Sequence, residues 1–532
     1  MAQINPLQPT LQRGTAAVPA VSLFARITVV LVILGQMALP LHAQQGPLPL
    51  PSLGDPASAE LSPSAERKLG ERIMRDIRRD PDYVSDPVVN DYLNRLAARL
   101  TENIARYAEG GIAPAIEVFG VRDRNINAFA LPGGFIGMNT GLIAQAKSES
   151  ELASVLAHEI GHVTQRHIAR SITNQNQSNL MAMAAVLLAI IAANKSPDAA
   201  QAAAAFGQGA AIQQQLNFSR DMEREADRIG LSMLQDGGFS TPSMLQFFER
   251  LQNANRLNDS GALPYLRTHP LTTERIGDLR ARVGNRQPDP RVYVEFALMS
   301  GRARVLSESA VEGIRSVRDG CKGAKADTYV DKLAARYCEA YAAVKLRDWP
   351  AAEQSQAALA KLLGEAAQGA RSLPEAQRAV ALLKVEFAIA QERGTDALAL
   401  LKPLQQAELL SRPLAMLQAQ AALVSPERDN LNTARQAMQS WVSISRLDGE
   451  AWALLARLHS SAGEQAMALR ANAEGHMVQQ QWRAAVDMLE QARKTPGNNY
   501  FDASIIEARL REAKERLKEE MEEVRQRRAS TS

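Results

Sequence analysis

Seven histidines occur in the 532-residue chain, and three of them, His158, His162 and His167, fall within ten residues. The first two frame the run His158-Glu159-Ile160-Gly161-His162. On an α-helix, positions i and i+4 share a face, so two imidazoles at that spacing can reach one cation at about 2.0 to 2.1 Å. A glutamate directly after the first histidine completes the pattern of a zinc hydrolase motif. Glu159 lies about 100° around the helix from His158 and need not ligate. It can instead take a proton from a water that the cation acidifies and return it to a leaving amine. Gly161 would let another backbone, or a substrate, approach closely.

A catalytic zinc needs three protein ligands and one open position. His167, five residues beyond His162, points about 140° away if the helix continues, which places it on the surface. The glycine that a longer three-histidine motif requires is missing as well. Further along, Glu223 and Asp227 in "SRDMEREADRIG" are again i and i+4. Glu223 can complete the metal shell, and Asp227 can hold a ligating histidine in its tautomer or act as a second acid. Glu225 is rotated about 200° from Glu223 and should face elsewhere, although spacing alone scarcely separates the two as ligands.

The elements that carry these residues can be read from periodicity. "SESELASVLAHEIGHVTQRHIARSI" predicts one long helix with Ser148 as N-cap and Glu151 three residues on. Residues 211 to 235 predict a second, ending at Gly237-Gly238, and "TPSMLQFFERLQNAN" a third. Upstream, the apolar spacing of Leu69, Ile73, Met74 and Ile77, then of Val89, Leu93, Leu96 and Leu100, predicts two amphipathic helices. Residues 115 to 121 and 127 to 139, with turn chemistry at Pro132-Gly133-Gly134, predict a small sheet whose strand through Phe129 and Ala130 is a candidate edge for an extended peptide. The continuously apolar stretch 180 to 193 is too short to span a bilayer and suits a buried or interfacial helix, in peripheral contact with a membrane if exposed.

"HEIGH", "NAFALPGGFIGMNTGL" before it and "SRDMEREAD" after it together resemble the HtpX-like and CAAX-prenyl-endopeptidase-like zinc metallopeptidases. With the leader and repeats described below, the resemblance narrows to the periplasmic beta-barrel assembly-enhancing protease group. It implies a gluzincin-type endopeptidase with one Zn²⁺ per chain, His158, His162 and Glu223 as metal ligands, and Glu159 and Asp227 as catalytic acids. It also points to His269 in "RTHPLTTERI" as a metal-proximal, regulatory histidine. Implied partners are unfolded or misassembled outer-membrane proteins and the beta-barrel assembly machinery, which the chain would assist, and whose failed clients it would degrade.

The remaining sequence sets the context. Residues 1–43 contain no acid and run apolar from Ile27 through Leu41 to the small Ala43, which reads as a secretory signal peptide and implies the periplasm. Residues 44–63, rich in Pro, Gly and Ser, read as a linker. The metallopeptidase domain is expected over 64–288. From 289 to 498 Ala-rich helical stretches such as "GHMVQQQWRAAVDMLEQAR" resemble tetratricopeptide repeats, with a charged helix over 499–532. The expected fold is therefore mainly α with a small β-sheet, a peptidase domain followed by an α-helical solenoid. Cys321 and Cys338 could staple two helices or remain two buried thiols. With Lys+Arg 61 against Asp+Glu 58 and a net charge of +3, there is no electrostatic footprint for nucleic acid. The competing reading is a chaperone or docking scaffold that binds zinc without proteolysis and works through its repeats.

Overall fold

Two helices open on the same device. Ser62 and Asp86 turn their side-chain oxygens to backbone N–H groups two or three residues on, and a proline fills the first helical position after each. In the computed structural model these caps start α1 (Pro63–Ile77) and α2 (Pro87–Thr101). The structure describes residues 61–173, 219–256, 264–287, 293–365, 373–408, 410–497 and 499–531. The expected leader over 1–43, most of the expected linker and the apolar stretch 180–193 lie outside the described residues.

Four strands make one sheet: β1 (Tyr83–Val84), β2 (Glu117–Val121), β3 (Ala128–Leu131) and β4 (Phe135–Asn139), in the order β1-β2-β4-β3. β2 and β4 are parallel, with Glu117 opposite Phe135, while β3 and β4 form an antiparallel hairpin with Ala128 opposite Met138. The hairpin turns at Pro132, with Gly133 at φ 76 and Gly134 at φ 87, a region where a Cβ is strained. Alternation sends the side chains to two faces. Phe119, Leu131 and Phe135 pack on Leu69, Ile73 and Met74 of α1. Val118, Ala130, Ile136 and Met138 face the main core with α2. β3 is an edge strand, as expected from the sequence.

After β4 come α3 (Thr140–Gln145), α4 (Glu149–Thr164) and α5 (His167–Thr173). The single long helix expected from Ser148 onward is thus two. Ser148 does cap the first, accepting from Glu151 N–H at 3.1 Å, but Arg166 adopts φ 49 and ends it. Arg166 is held in that conformation by Glu66 of α1, 3.2 Å from its Nε. Beyond the described gap lie α6 (Arg220–Asp236), capped by Ser219, then α7 (Pro242–Arg256), α8 (Pro264–Thr268) and α9 (Thr273–Val283).

The remainder is helical: α10 (Val294–Leu306), α11 (Val311–Lys322), α12 (Tyr329–Lys345), α13 (Trp349–Glu365), α14 (Leu373–Ala390), α15 (Gly394–Ala407), α16 (Arg412–Leu423), α17 (Arg428–Ile444), α18 (Gly449–Ser461), α19 (Gln465–Val478), α20 (Trp482–Lys494) and α21 (Tyr500–Thr531). From α12 onward one turn recurs. Arg347, Glu392, Gly463 and Gln480 all take left-handed backbone two residues before the next helix. The following N–H reaches back five residues, as in Asp348 to Ala343 and Gln481 to His476. Three residues into each following helix stands a buried alanine, Ala352, Ala397, Ala468 or Ala485. The small side chain lets successive helices approach. This is a helical repeat region, and it returns to the sheet side of the molecule, where Arg75 of α1 donates to Gln480 at 3.3 Å. Cys321 and Cys338 are bonded to each other, joining α11 to α12.

Candidate metal centre

Every residue of α4 from Glu149 to Thr164 is buried, so its polar side chains must find partners inside the protein. α6 crosses it at short range. A Cβ on Gly161 would stand 3.0 Å from the Cα and O of Ala226, and one on Gly230 would stand 3.0 Å from the backbone N of His158. The space that Gly161 leaves is therefore taken by another backbone rather than by substrate. One turn before Ala226, this approach brings Glu223 over the histidine face of α4.

Four side chains converge there: His158, His162, Glu223 and His269, all buried, with one ligating atom from each lying within 4.8 Å of the others. His158 Nε2 is 3.0 Å from His162 Nε2 and 3.2 Å from His269 Nδ1. Glu223 approaches His162 Nε2 at 3.4 Å, His158 Nε2 at 3.5 Å and His269 Nδ1 at 3.1 Å. Four atoms held at about 2.0 to 2.1 Å from a common tetrahedral centre stand roughly 3.4 Å apart, so this donor set fits a zinc-sized ion. Ring nitrogens turned on one another at these distances are what neutral imidazoles sharing a cation would do. His269 comes from the segment after α8, its N–H bonded to Tyr265 O and its ring stacked on the Tyr265 ring at 4.8 Å.

Electrostatics favour an ionised Glu223 and a neutral His162, but a protonated His158 whose proton a metal would have to displace. Burial alone would raise the Glu223 pKa, but His269 first, then His158 and His162, hold it well below the usual carboxylate range. Burial pushes the His162 pKa well down, so its imidazole is neutral, as a ligand must be. For His158 burial acts in the same direction, yet Asp227 and Glu223 outweigh it and raise the pKa to about 9. Glu159 is completely buried, and neither carboxylate oxygen has a hydrogen bond among the described residues. Its Oε1 lies 3.4 Å from His269 Nε2.

Around this set sits a shell that the sequence disclosed only partly. Asp227 Oδ1 is 2.9 Å from His158 Nδ1, an ion-pair contact that falls outside hydrogen-bond angles. At that distance Asp227 can orient the ring. Asp227 in turn accepts two bonds from Arg275 of α9, at 2.7 and 2.8 Å, and Arg275 Nη1 also lies 2.8 Å from Glu223. Nothing in the sequence singles out Arg275. Its position inside "TTERI" looks like an ordinary exposed helix start, and only the fold reveals two buried acids beside it. Glu225 faces away from the four ligands, as its helical angle implies.

His167 departs from expectation. It is buried, not on the surface, because the chain breaks at Arg166 and the helical angle carried past Thr164 no longer applies. Its Nδ1 lies 2.9 Å from His162 Nδ1 and its Nε2 lies 3.0 Å from Glu225. The clustering of three histidines within ten residues was the available signal.

Comparison with known proteins agrees with this geometry. Residues 89–283 match peptidase family M48. A Vibrio cholerae relative, provisionally named beta-barrel assembly-enhancing protease, is 37% identical over 287 residues, 54% of this chain and 58% of that protein. The beta-barrel assembly-enhancing protease of Escherichia coli strain K12 is 27% identical over 475 residues, 88% of this chain and 92% of the relative. The mitochondrial metalloendopeptidase OMA1 of Arabidopsis thaliana is 36% identical over 197 residues, 37% of this chain and 36% of that protein. The chain thus spans little more than half the length of the Vibrio cholerae relative, but nearly all of the one from Escherichia coli.

Proposed function

With residues 89–283 forming a peptidase family M48 domain, we propose that the chain is an exported zinc endopeptidase whose metal is held by His158, His162 and Glu223. The observation that carries this reading is the convergence of those three side chains with His269, beside which Glu159 sets its Oε1 3.4 Å from the His269 ring. A zinc ion held there supplies a Lewis acid for the scissile carbonyl and lowers the pKa of water. Glu159 accepts the proton released from the attacking water and delivers it to the leaving amine. Asp227, backed by Arg275, fixes the ring of His158. Substrate adds to the edge of β3 as an extended strand, so that selection is for unfolded or protruding segments rather than for one side chain.

The clients are unfolded or misassembled outer-membrane barrel proteins met in the periplasm. The names of the Vibrio and Escherichia relatives, the leader-like sequence 1–43 and the helical repeats support that choice together. Among the described residues no helix is long and apolar enough to cross a membrane. The repeats, tetratricopeptide-like in their turns and buried alanines, present clients and the assembly machinery to the peptidase domain.

The test is Glu159→Gln in the full chain. It should retain one zinc and lose cleavage of an unfolded barrel protein by at least about 100-fold. Turnover equal to the parent's would refute the enzymatic reading and leave a zinc-binding scaffold.

A further inference from the structure

We propose that His167 and Glu225 form a positioning relay that orients His162 for the metal, the counterpart of the Asp227 contact to His158. The proposal rests on the zinc reading above and names two residues outside the ligand set.

Proton bookkeeping fixes the direction of the relay. His162 turns Nε2 towards Glu223 and His158, so a metal there takes the Nε2 lone pair and leaves the proton on Nδ1. That Nδ1 lies 2.9 Å from His167 Nδ1. Two ring nitrogens at this separation need one N–H and one lone pair, so His162 donates and His167 accepts. The proton of His167 is then on Nε2, directed at Glu225 Oε2 at 3.0 Å, and Arg170 donates to the same oxygen at 3.1 Å. Both nitrogens of His167 are thereby used, and it cannot also be a ligand.

The fold is built to deliver this contact. A continuous helix would carry residue 167 away from residue 162, and the left-handed Arg166 brings it back. Glu66 holds the break from α1, and Glu225 holds the far end of the relay from α6. An ordered partner on the distal nitrogen fixes the tautomer and rotation of a metal-bound imidazole, and losing it typically costs about 10- to 100-fold in metal affinity.

The experiment measures zinc affinity of the full chain by competition with a chromophoric chelator, alongside the visible spectrum of the cobalt(II) form. His167→Ala should weaken zinc by about 10- to 100-fold and alter the cobalt spectrum. His167→Gln, whose amide can accept from His162 and donate to Glu225, should recover most of that loss. A His167→Ala protein with parental helicity and zinc affinity within about twofold of the parent, where the relay predicts a tenfold loss or more, overturns the proposal. If that variant does not fold, Glu225→Ala decides, since Glu225 is partly exposed. A several-fold loss of zinc supports the relay, and parental affinity overturns it. Failure of the parent itself to bind zinc would instead sink the metallopeptidase reading, so the two failures are separable.

Discussion

Gly161 of α4 and Ala226 of α6 sit so close that a single added methyl group on the glycine would be 3.0 Å from the alanine backbone. This crossing sets the height of Glu223 above His158 and His162, so packing and metal binding share one determinant. Gly161→Ala must push the helices apart, because the obstructing atoms are backbone and cannot rotate aside. The expected result is a loss of about 1 to 3 kcal/mol in unfolding free energy with weaker zinc binding, read by denaturant titration and chelator competition. Gly277→Ala on α9 is the control. A Cβ there meets nothing, and replacing a helical glycine should stabilise by about 0.5 to 1 kcal/mol.

His269 sets Nδ1 3.2 Å from His158 Nε2 and Nε2 3.4 Å from Glu159 Oε1, so on the proposed zinc reading it would take the coordination position that a hydrolytic zinc leaves open. On the proposed zinc reading, a resting enzyme with that ring in place would be latent. His269→Ala is expected to raise cleavage of an unfolded substrate while zinc is retained, measured as initial rate per bound metal. Reduced cleavage with full zinc occupancy would assign the ring a productive role instead.

What was legible in the sequence was local. Ser148 as cap, the i, i+4 histidines and the Pro-Gly-Gly turn each follow from neighbours within a few residues, and each appears in the structure. β1 has only two residues, Tyr83 and Val84, too few for any alternation to register. The break at Arg166 has no glycine or proline to announce it, and its cause is Glu66, 100 residues away in sequence. Arg275 is invisible for the same reason, since both acids that bury it lie on another helix. In the repeats, the left-handed turns at Arg347, Glu392 and Gln480 again lack glycine.

Cys321 and Cys338, 17 residues apart, close a loop through the α11–α12 turn. Cross-linking a loop of that length restricts the unfolded chain by about 3 kcal/mol on the chain-entropy account. The double variant Cys321→Ser with Cys338→Ser should lose roughly that much stability. In the native parent, both sulfurs are buried. Alkylation by iodoacetamide in denaturant, which exposes them, should require a reductant, and mass spectrometry that found either cysteine alkylated without one would contradict the bond.

Arg302 of α10 is completely buried between the start of α2 and α14, donating to Asp86 at 2.6 and 2.9 Å and to Glu386 at 2.8 Å. Asp86 also caps α2 through Val88 and Val89. Burial opposes its charge, but Arg302 beside it outweighs burial and lowers the carboxyl pKa below its ordinary 3.8. A carboxyl depressed in the folded state contributes its full stability above 3.8 and loses it as pH falls through the lower folded value. Asp86→Asn keeps a capping oxygen yet removes the charge, leaving Arg302 short of one buried partner. It should cost on the order of 3 kcal/mol at neutral pH. Its unfolding free energy should also fall less steeply than the parent's as pH drops below 4, because the titrating group is gone. Denaturant curves collected from pH 7 down to the acid limit of reversibility test both parts, and parallel curves for the two proteins would show that Asp86 keeps its ordinary pKa.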